Sequence, residues 1–321
     1  MKKTILITGS AGFIGFHTAQ KLLAKKYQVI GVDNLNSYYD VKLKKARNEI
    51  LLKNKNYKFY KVDLRNKKAL EEVFKKNKVN KILNLAAQAG VRYSLTHPEA
   101  YEETNLKGFL NVLECARHFK VKDVVYASSS SVYGGNKMPR TGFSEKDAVN
   151  QPISLYASTK RANELMAFTY HHLFGLNCTG LRFFTVYGPW GRPDMALFIF
   201  ANKITKGEEI PVFNYGKMRR DFTYVDDIAN GVVKALEKPQ AYEIINLGNS
   251  KSVELSYFIE LIEKELNKTA RKKYLPMQPG DVPATFANVS KARNMLGFQP
   301  KIKIETGIKN FIKWYKEYYK I

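Results

Sequence analysis

"TILITGSAGFIGFHTAQKLL", Thr4 to Leu23, runs an apolar β-branched segment straight into Gly9-x-x-Gly12-x-x-Gly15 and then into a helical pattern. That order predicts a buried strand, a tight turn and a helix that starts at the turn. Gly9 suits the turn itself, Gly12 lets backbone approach a pyrophosphate, and Gly15 permits close helix–strand packing. An anion would rest on the helix N-terminus, where free N–H groups and the dipole favour negative charge. The spacing is not the common Gly-x-Gly-x-x-Gly, so the stretch alone also fits a merely glycine-rich turn.

Downstream, short β-branched runs alternate with longer amphipathic ones. "YQVIGVD" from Tyr27, "YKFYKVD" from Tyr57, "KILNLA" from Lys81, "DVVYASS" from Asp123 and "LNCTGLRFF" from Leu176 read as buried strands. "FHTAQKLLAKK" and "KALEEVFKKNK" read as helices between them. Such alternation predicts an α/β fold, a Rossmann-type doubly wound parallel sheet. Beyond residue 184 the pattern loosens, and "YEIINLG" from Tyr242 reads as one more strand returning to the large sheet. The expected division is a dinucleotide-binding domain over residues 1–184, with a returning segment near 222–248. A smaller C-terminal α/β substrate domain would cover 185–321.

With 321 residues, 45% hydrophobic and 26% charged, the chain has the composition of a soluble globular protein. No apolar run reaches the roughly 18 residues of a membrane span, and membrane insertion is not expected. The start "MKKTILITGSAGFIGF" superficially resembles a secretory leader, but its glycine spacing argues against one. Two distant cysteines, Cys115 and Cys178, offer no metal-ligand spacing and suit a reducing cytoplasm. The formal charge of +24 raises nucleic-acid binding. The lysines, however, are spread through segments such as "KLKKARNEILLKNKNYKFYK", which read as solvated helix faces, so no nucleic-acid partner is expected.

Asp33 ends the second strand, where an acid can accept from an adenosine ribose and would repel a 2′-phosphate, favouring NAD over NADP. It could instead cap the helix that follows. Asp63, ending the third strand, would flank the adenine or else cap its own following helix. Tyr156 and Lys160 in "SLYASTKRANELMA" lie one helical turn apart and share a face. Ser129, in "YASSSSVYGG", closes the fifth strand, and ligands of open α/β sheets bind beyond the strand C-termini. Ser, Tyr and Lys together suit oxidation of an alcohol. A tyrosine titrating near 10 becomes a usable base when a lysine cation and a nicotinamide ring favour its phenolate. A polar turn is the plainer reading of the serine run.

At this point the chain resembles the extended short-chain dehydrogenase/reductase superfamily, and within it the nucleotide-sugar epimerases. The resemblance spans nearly the whole chain through "TGSAGFIG", "VDNLNSYYD", "LAAQAGVRYS", "TNLKGFLNVLE", "YASSSSVYG", "YASTKRANE", "RFFTVYGPWGRPDMA", "RRDFTYVDDIA" and "QPGDVPATFANVSKA". In detail it is most similar to UDP-glucuronate 4-epimerases, which are often associated with capsular or cell-envelope polysaccharide. The resemblance implies bound NAD, with Gly9, Gly12, Phe13, Ile14 and Gly15 at its pyrophosphate. Asp33, Asn34 and Asn36 would serve the adenosine ribose, and Asp63 with Leu64 the adenine. Leu85, Ala86 and Gln88 would line the cofactor, with Asn105 behind it. Tyr156 would be the base, Lys160 would tune it and bind the nicotinamide ribose, and Ser129 would assist at the sugar 4-hydroxyl. Ser130 and Ser131 become candidate sugar contacts, and Arg220 and Asp281 candidates for the uridine diphosphate. A homodimer is expected by resemblance only.

Related dehydratases and decarboxylases carry an acid after the first serine or threonine of the strand-end segment. "SSSSVYG" has none, so both classes lose ground. Thr185 stands where galactose epimerases carry asparagine. Arg192 supplies a charged fork suited to a uronate carboxylate, or else to a phosphate. UDP-glucose/UDP-galactose 4-epimerisation remains the alternative.

Overall fold

A computed structural model describes residues 3–278 and 281–321, so Pro279 and Gly280 of the "QPGDVP" motif lie outside the described residues. The strands in chain order are β1 (Thr4–Thr8), β2 (Gln28–Asp33), β3 (Tyr57–Lys61), β4 (Lys81–Asn84), β5 (Asp123–Ser129) and β6 (Asn177–Phe183). There follow β7 (Thr185–Tyr187), β8 (Glu209–Phe213), β9 (Arg219–Tyr224), β10 (Tyr242–Leu247), β11 (Ser252–Glu254) and β12 (Arg271–Leu275). The helices are α1 (Phe13–Ala24), α2 (Val41–Leu52), α3 (Lys67–Lys76), α4 (Pro98–Tyr101), α5 (Gly108–His118) and α6 (Leu155–Phe174). After them come α7 (Ala196–Lys206), α8 (Val225–Glu237), α9 (Leu255–Leu266), α10 (Ser290–Leu296) and α11 (Ile304–Tyr319).

Seven strands form one sheet in the order β3-β2-β1-β4-β5-β6-β10. Every pair is parallel, so the expected Rossmann-type sheet is present. Ile5, Leu6 and Ile7 of β1 are wholly buried, as a parallel strand covered by helices on both faces requires. Against one face, Phe16, Leu22 and Leu23 of α1 share a core with Ile228, Val232 and Leu236 of α8. Against the other, Leu70 and Phe74 of α3 meet Phe109, Val112 and Leu113 of α5. The strand order reverses between β1 and β4, and that crevice is where an open α/β sheet binds its ligand.

After β6 the chain builds a smaller body. β11, β9 and β7 make a three-stranded sheet, β12 pairs with β8, and α7, α9 and α11 close an aromatic-rich core around Phe198, Phe258 and Phe311. Two excursions carry the chain back, through α8 on α1 and through β10 beside β6.

Two sequence readings are corrected. β3 stands at the edge of the sheet and buries only Tyr57 fully, so "YKFYKVD" is not a buried strand. The segment "KLKKARNEILL" is not a solvated face throughout, because Lys44 is 5% exposed and Arg47 fully buried. Both share the buried side of α2 with Leu43, Asn48 and Leu51, and the helical period places them there. No described helix is long and apolar enough to cross a membrane. Among the described residues no cluster could hold a metal ion.

Candidate active site

The turn after β1 takes the shape its glycines allow. Gly9 has φ +68°, and its N–H donates to Val32 O at 2.8 Å. A Cβ on Gly15 would stand 2.1 Å from Gly9 O, so helix and strand touch where any side chain would separate them. Gly12 caps α1 with no side-chain acceptor, leaving the first N–H groups of the helix for an anion. Phe13 and Ile14 border the same cleft. These features fit the pyrophosphate of NAD.

Asp33 spends its carboxylate partly on the turn. Its Oδ2 accepts from Ala11 N at 3.1 Å and its Oδ1 from Leu35 N at 2.8 Å. Burial pushes this carboxyl upward against those two hydrogen bonds. It caps no helix, since Asp40 caps α2. Asp63 likewise leaves the capping of α3 to Asn66. Arg65 grips Asp63 through Nε and Nη2, both at 3.0 Å, and Asn34 Nδ2 donates to it at 2.9 Å. Burial opposes ionisation, but these donors hold its carboxyl below the ordinary range. Asn36 is fixed by Lys44, whose Nζ reaches its O at 2.7 Å and its Oδ1 at 2.6 Å.

Asp63, Leu64, Leu85, Ala86 and Gln88 edge the cleft, and Asn105 does not. Asn105 lies behind it, accepting from Gln88 N at 2.8 Å and donating to Gln88 O at 3.0 Å and to Thr159 at 3.1 Å. It sits on a six-residue π-helical stretch, Glu102–Lys107, a distortion frequent at functional sites.

The reacting groups come from β5 and α6. Ser154 caps α6 by accepting from Ala157 N, and Gly175 ends the helix at φ +65°. Tyr156 is then half-buried at the cleft wall and Lys160 is buried beneath it. Lys160 Nζ donates to Ala127 O at 3.0 Å and lies 5.9 Å from the centre of the Tyr156 ring. Burial pulls Lys160 down to about 8. Burial pushes the Tyr156 phenol above 10, while the Ser129 hydroxyl and the Arg192 charge pull it back. The depression expected from the lysine is therefore not a property of the protein alone. A bound NAD would add the positive nicotinamide ring, which favours the phenolate.

Ser129 Oγ accepts from Ser131 N at 3.2 Å and from Ser131 Oγ at 2.8 Å. Its own proton then serves the Tyr156 phenol, whose pKa that hydrogen bond lowers. Ser130 and Thr185 face the same cleft. Arg192 borders it too, with its guanidinium on Asp194 at 3.0 Å through Nε. Arg220 Nη2 donates to Asp281 Oδ1 at 3.0 Å at the far end.

The cleft thus brings together every residue expected at it except Asn105, which stands behind it as the resemblance implied. Sequence reasoning missed Tyr38, Lys44, Arg47, Glu164 and Asp194. Asp194 was readable only as a neighbour of Arg192 in "GRPD". Lys44 and Arg47 were masked by surrounding lysines, and only their period with Leu43 and Leu51 could have found them.

The family described as NAD dependent epimerase/dehydratase matches residues 5–248. An uncharacterized protein of Methanocaldococcus jannaschii is 57% identical, over 98% of this chain and 97% of that protein. A UDP-glucuronate 4-epimerase of Thermodesulfobacterium geofontis is 46% identical, over 97% of this chain and 96% of that one. The crystal structure of UDP-glucuronic acid 4-epimerase from Bacillus cereus in complex with UDP-glucuronic acid and NAD superposes with a TM-score of 0.92. It is 33% identical and covers 98% of this chain and 100% of that one.

Proposed function

The chain belongs to the NAD dependent epimerase/dehydratase family and is an NAD-dependent UDP-sugar epimerase; from that premise we propose that it interconverts UDP-glucuronate and UDP-galacturonate at C4. One observation carries the choice of sugar. The hydroxyls of Ser129, Ser130, Ser131 and Thr185 and the guanidinium of Arg192 border one cleft with Tyr156. No carboxylate stands in "SSSSVYG" to eliminate water.

NAD supplies the hydride acceptor and donor at C4. Tyr156 takes the proton of the 4-hydroxyl as C4 is oxidised, with Ser129 holding that oxygen and Lys160 supporting the phenolate. The 4-keto sugar swings about its diphosphate, tethered at Arg220, and Tyr156 returns the proton after reduction on the other face. A uronate adds a hazard at this stage, because the 4-keto acid is a β-keto acid. When the C5–carboxyl bond aligns with the carbonyl π-system it breaks and CO2 leaves. Its electron pair becomes a C4–C5 enolate that takes a proton at C5. Hydrogen bonds from Ser130, Ser131 and Thr185, together with Arg192, would hold the carboxylate out of that alignment.

The enzyme would act in the cytoplasm, supplying galacturonate for surface polysaccharide, with residues 185–321 forming most of the sugar-nucleotide side. It would act as a homodimer through α5 and α6, whose outer faces expose Leu110, Leu165, Phe168 and Leu173. The deciding experiment incubates purified protein with UDP-glucuronate, without added NAD, and resolves products by NMR. UDP-galacturonate is the expected product. Turnover of UDP-glucose to UDP-galactose alone would replace this reading with the neutral-sugar one, and no turnover of any UDP-sugar would refute both.

A further inference from the structure

We propose that Asp194 and Tyr38 are positioning residues that aim Arg192 at the substrate carboxylate, so that selectivity for a uronate resides in these two residues as well as in Arg192. The inference rests on the uronate reading above. Arg192 lies on the loop between β7 and α7, and that loop is pinned from behind. His17 Nε2 bonds Pro189 O at 2.9 Å, and Arg47 Nη2 donates to Trp190 O at 2.6 Å and Gly191 O at 3.2 Å. The loop's backbone is therefore held by contacts within the protein.

The guanidinium is set next. A guanidinium has a side edge, Nε with Nη2, and an end edge, Nη1 with Nη2, and each can grip one carboxylate. Asp194 takes the side edge, Oδ1 from Nε at 3.0 Å and Oδ2 from Nη2 at 2.5 Å. Among the described residues nothing accepts from Nη1, so the end edge is left for a second carboxylate. Asp194 is itself held, because Tyr38 OH donates to its Oδ2 at 3.0 Å. Tyr38 comes from the loop between β2 and α2 and packs on Tyr93, ring centres 4.8 Å apart. Burial and the Asp194 charge push the Tyr38 phenol well above 10, so it stays a donor. Burial opposes ionisation of Asp194, but the Arg192 charge and these donors hold it ionised, its carboxyl below the ordinary range.

The arrangement has a chemical consequence. Asp194 cancels the net charge of Arg192, so attraction at a distance is weak and recognition depends on the free edge being correctly aimed. A neutral hydroxymethyl cannot use a bidentate edge. A carboxylate can, and an aimed edge also fixes the rotation of that carboxylate about C5, which governs loss of CO2.

The test uses the NAD-loaded protein with Asp194→Asn and, separately, Tyr38→Phe. Affinities for UDP-glucuronate and UDP-glucose are measured in the Tyr156→Phe background, and products are partitioned in the active background. Asp194→Asn should lower the preference for UDP-glucuronate over UDP-glucose about tenfold, the scale of one hydrogen bond to a charged group. The decarboxylated share of product should rise. Tyr38→Phe should move both readouts in the same direction by less, and it carries the test if Asp194→Asn does not fold. Tighter UDP-glucuronate binding in Asp194→Asn would mean that Asp194 merely competes for Arg192, overturning the proposal. Equal weakening of both ligands, or an unchanged product ratio, would overturn it as well. Wild-type protein with no preference for the uronate would instead overturn the reading on which the proposal rests.

Discussion

Tyr156 is placed where a base is needed but is not, by the protein alone, made into one. Its phenol is raised by burial, and Lys160 beneath it is drawn down to about 8. Tyr156→Phe should keep NAD and UDP-sugar binding while lowering kcat by about 10²–10⁴, the usual worth of a general base; steady-state rates and calorimetric binding check both halves. A second residue sets acid sensitivity. His17 is 9% exposed, and burial lowers its pKa from 6.5 to about 4 despite the bond to Pro189 O. Between those values the unfolded chain binds a proton that the folded one does not. Stability from this group is therefore full above about pH 6.5 and is lost as pH falls towards 4, on the order of 3 kcal/mol in all. Urea unfolding from pH 7 to pH 4 should fall less steeply for His17→Gln than for wild type.

Two elements bear the chemistry, the turn into α1 and the helix α6. In the turn, Gly15→Ala drives a Cβ to within 2.1 Å of Gly9 O, and backbone cannot yield there as a flexible side chain would. Loss of about 1–3 kcal/mol and release of NAD on gel filtration are the expected results. Helix α6 is anchored by Glu164, fully buried, which meets Arg182 of β6 at 2.8 and 2.9 Å and accepts from Ser128 of β5 at 2.7 Å. Ser128 immediately precedes Ser129, so one buried ion pair fixes the helix carrying the base against the strand carrying the serines. Glu164→Ala strands a buried guanidinium and should cost about 3–5 kcal/mol, seen as an earlier urea midpoint.

At the scale of the molecule, the cleft lies between the seven-stranded sheet and the smaller body, and residues from both reach it. Tyr38 and Arg47 on one side bond Asp194 and Trp190 on the other. Along α6, Leu165, Phe168 and Leu173 remain 50–61% exposed, large apolar side chains that a partner could cover. Leu165→Glu combined with Phe168→Glu should convert the proposed dimer to monomer in sedimentation velocity, with the fold intact by circular dichroism. A wild-type monomer at micromolar concentration would refute the dimer.

The large sheet was legible from local pattern alone, and so were the glycine turn, Asp33, Ser129, Tyr156 and Lys160. Buried parallel strands read as apolar runs, the turn into α1 needs glycines at set positions, and Tyr156 and Lys160 share a helix face by spacing alone. The roles given to Leu85, Ala86, Gln88, Asn105, Arg220 and Asp281 came only through the family resemblance. Only the tertiary structure decided what depends on distant segments meeting. Lys44 and Arg47 look like surface cations until α2 is seen packed on the phosphate turn. Asp63 reads equally as an adenine contact or a cap until Asn34, 29 positions earlier, is seen donating to it. Asp194 gains a role only when a tyrosine 156 positions earlier reaches it across the cleft. Periodicity reports which way a side chain faces along its own element. It carries no information about which partner, from another part of the chain, it will find there.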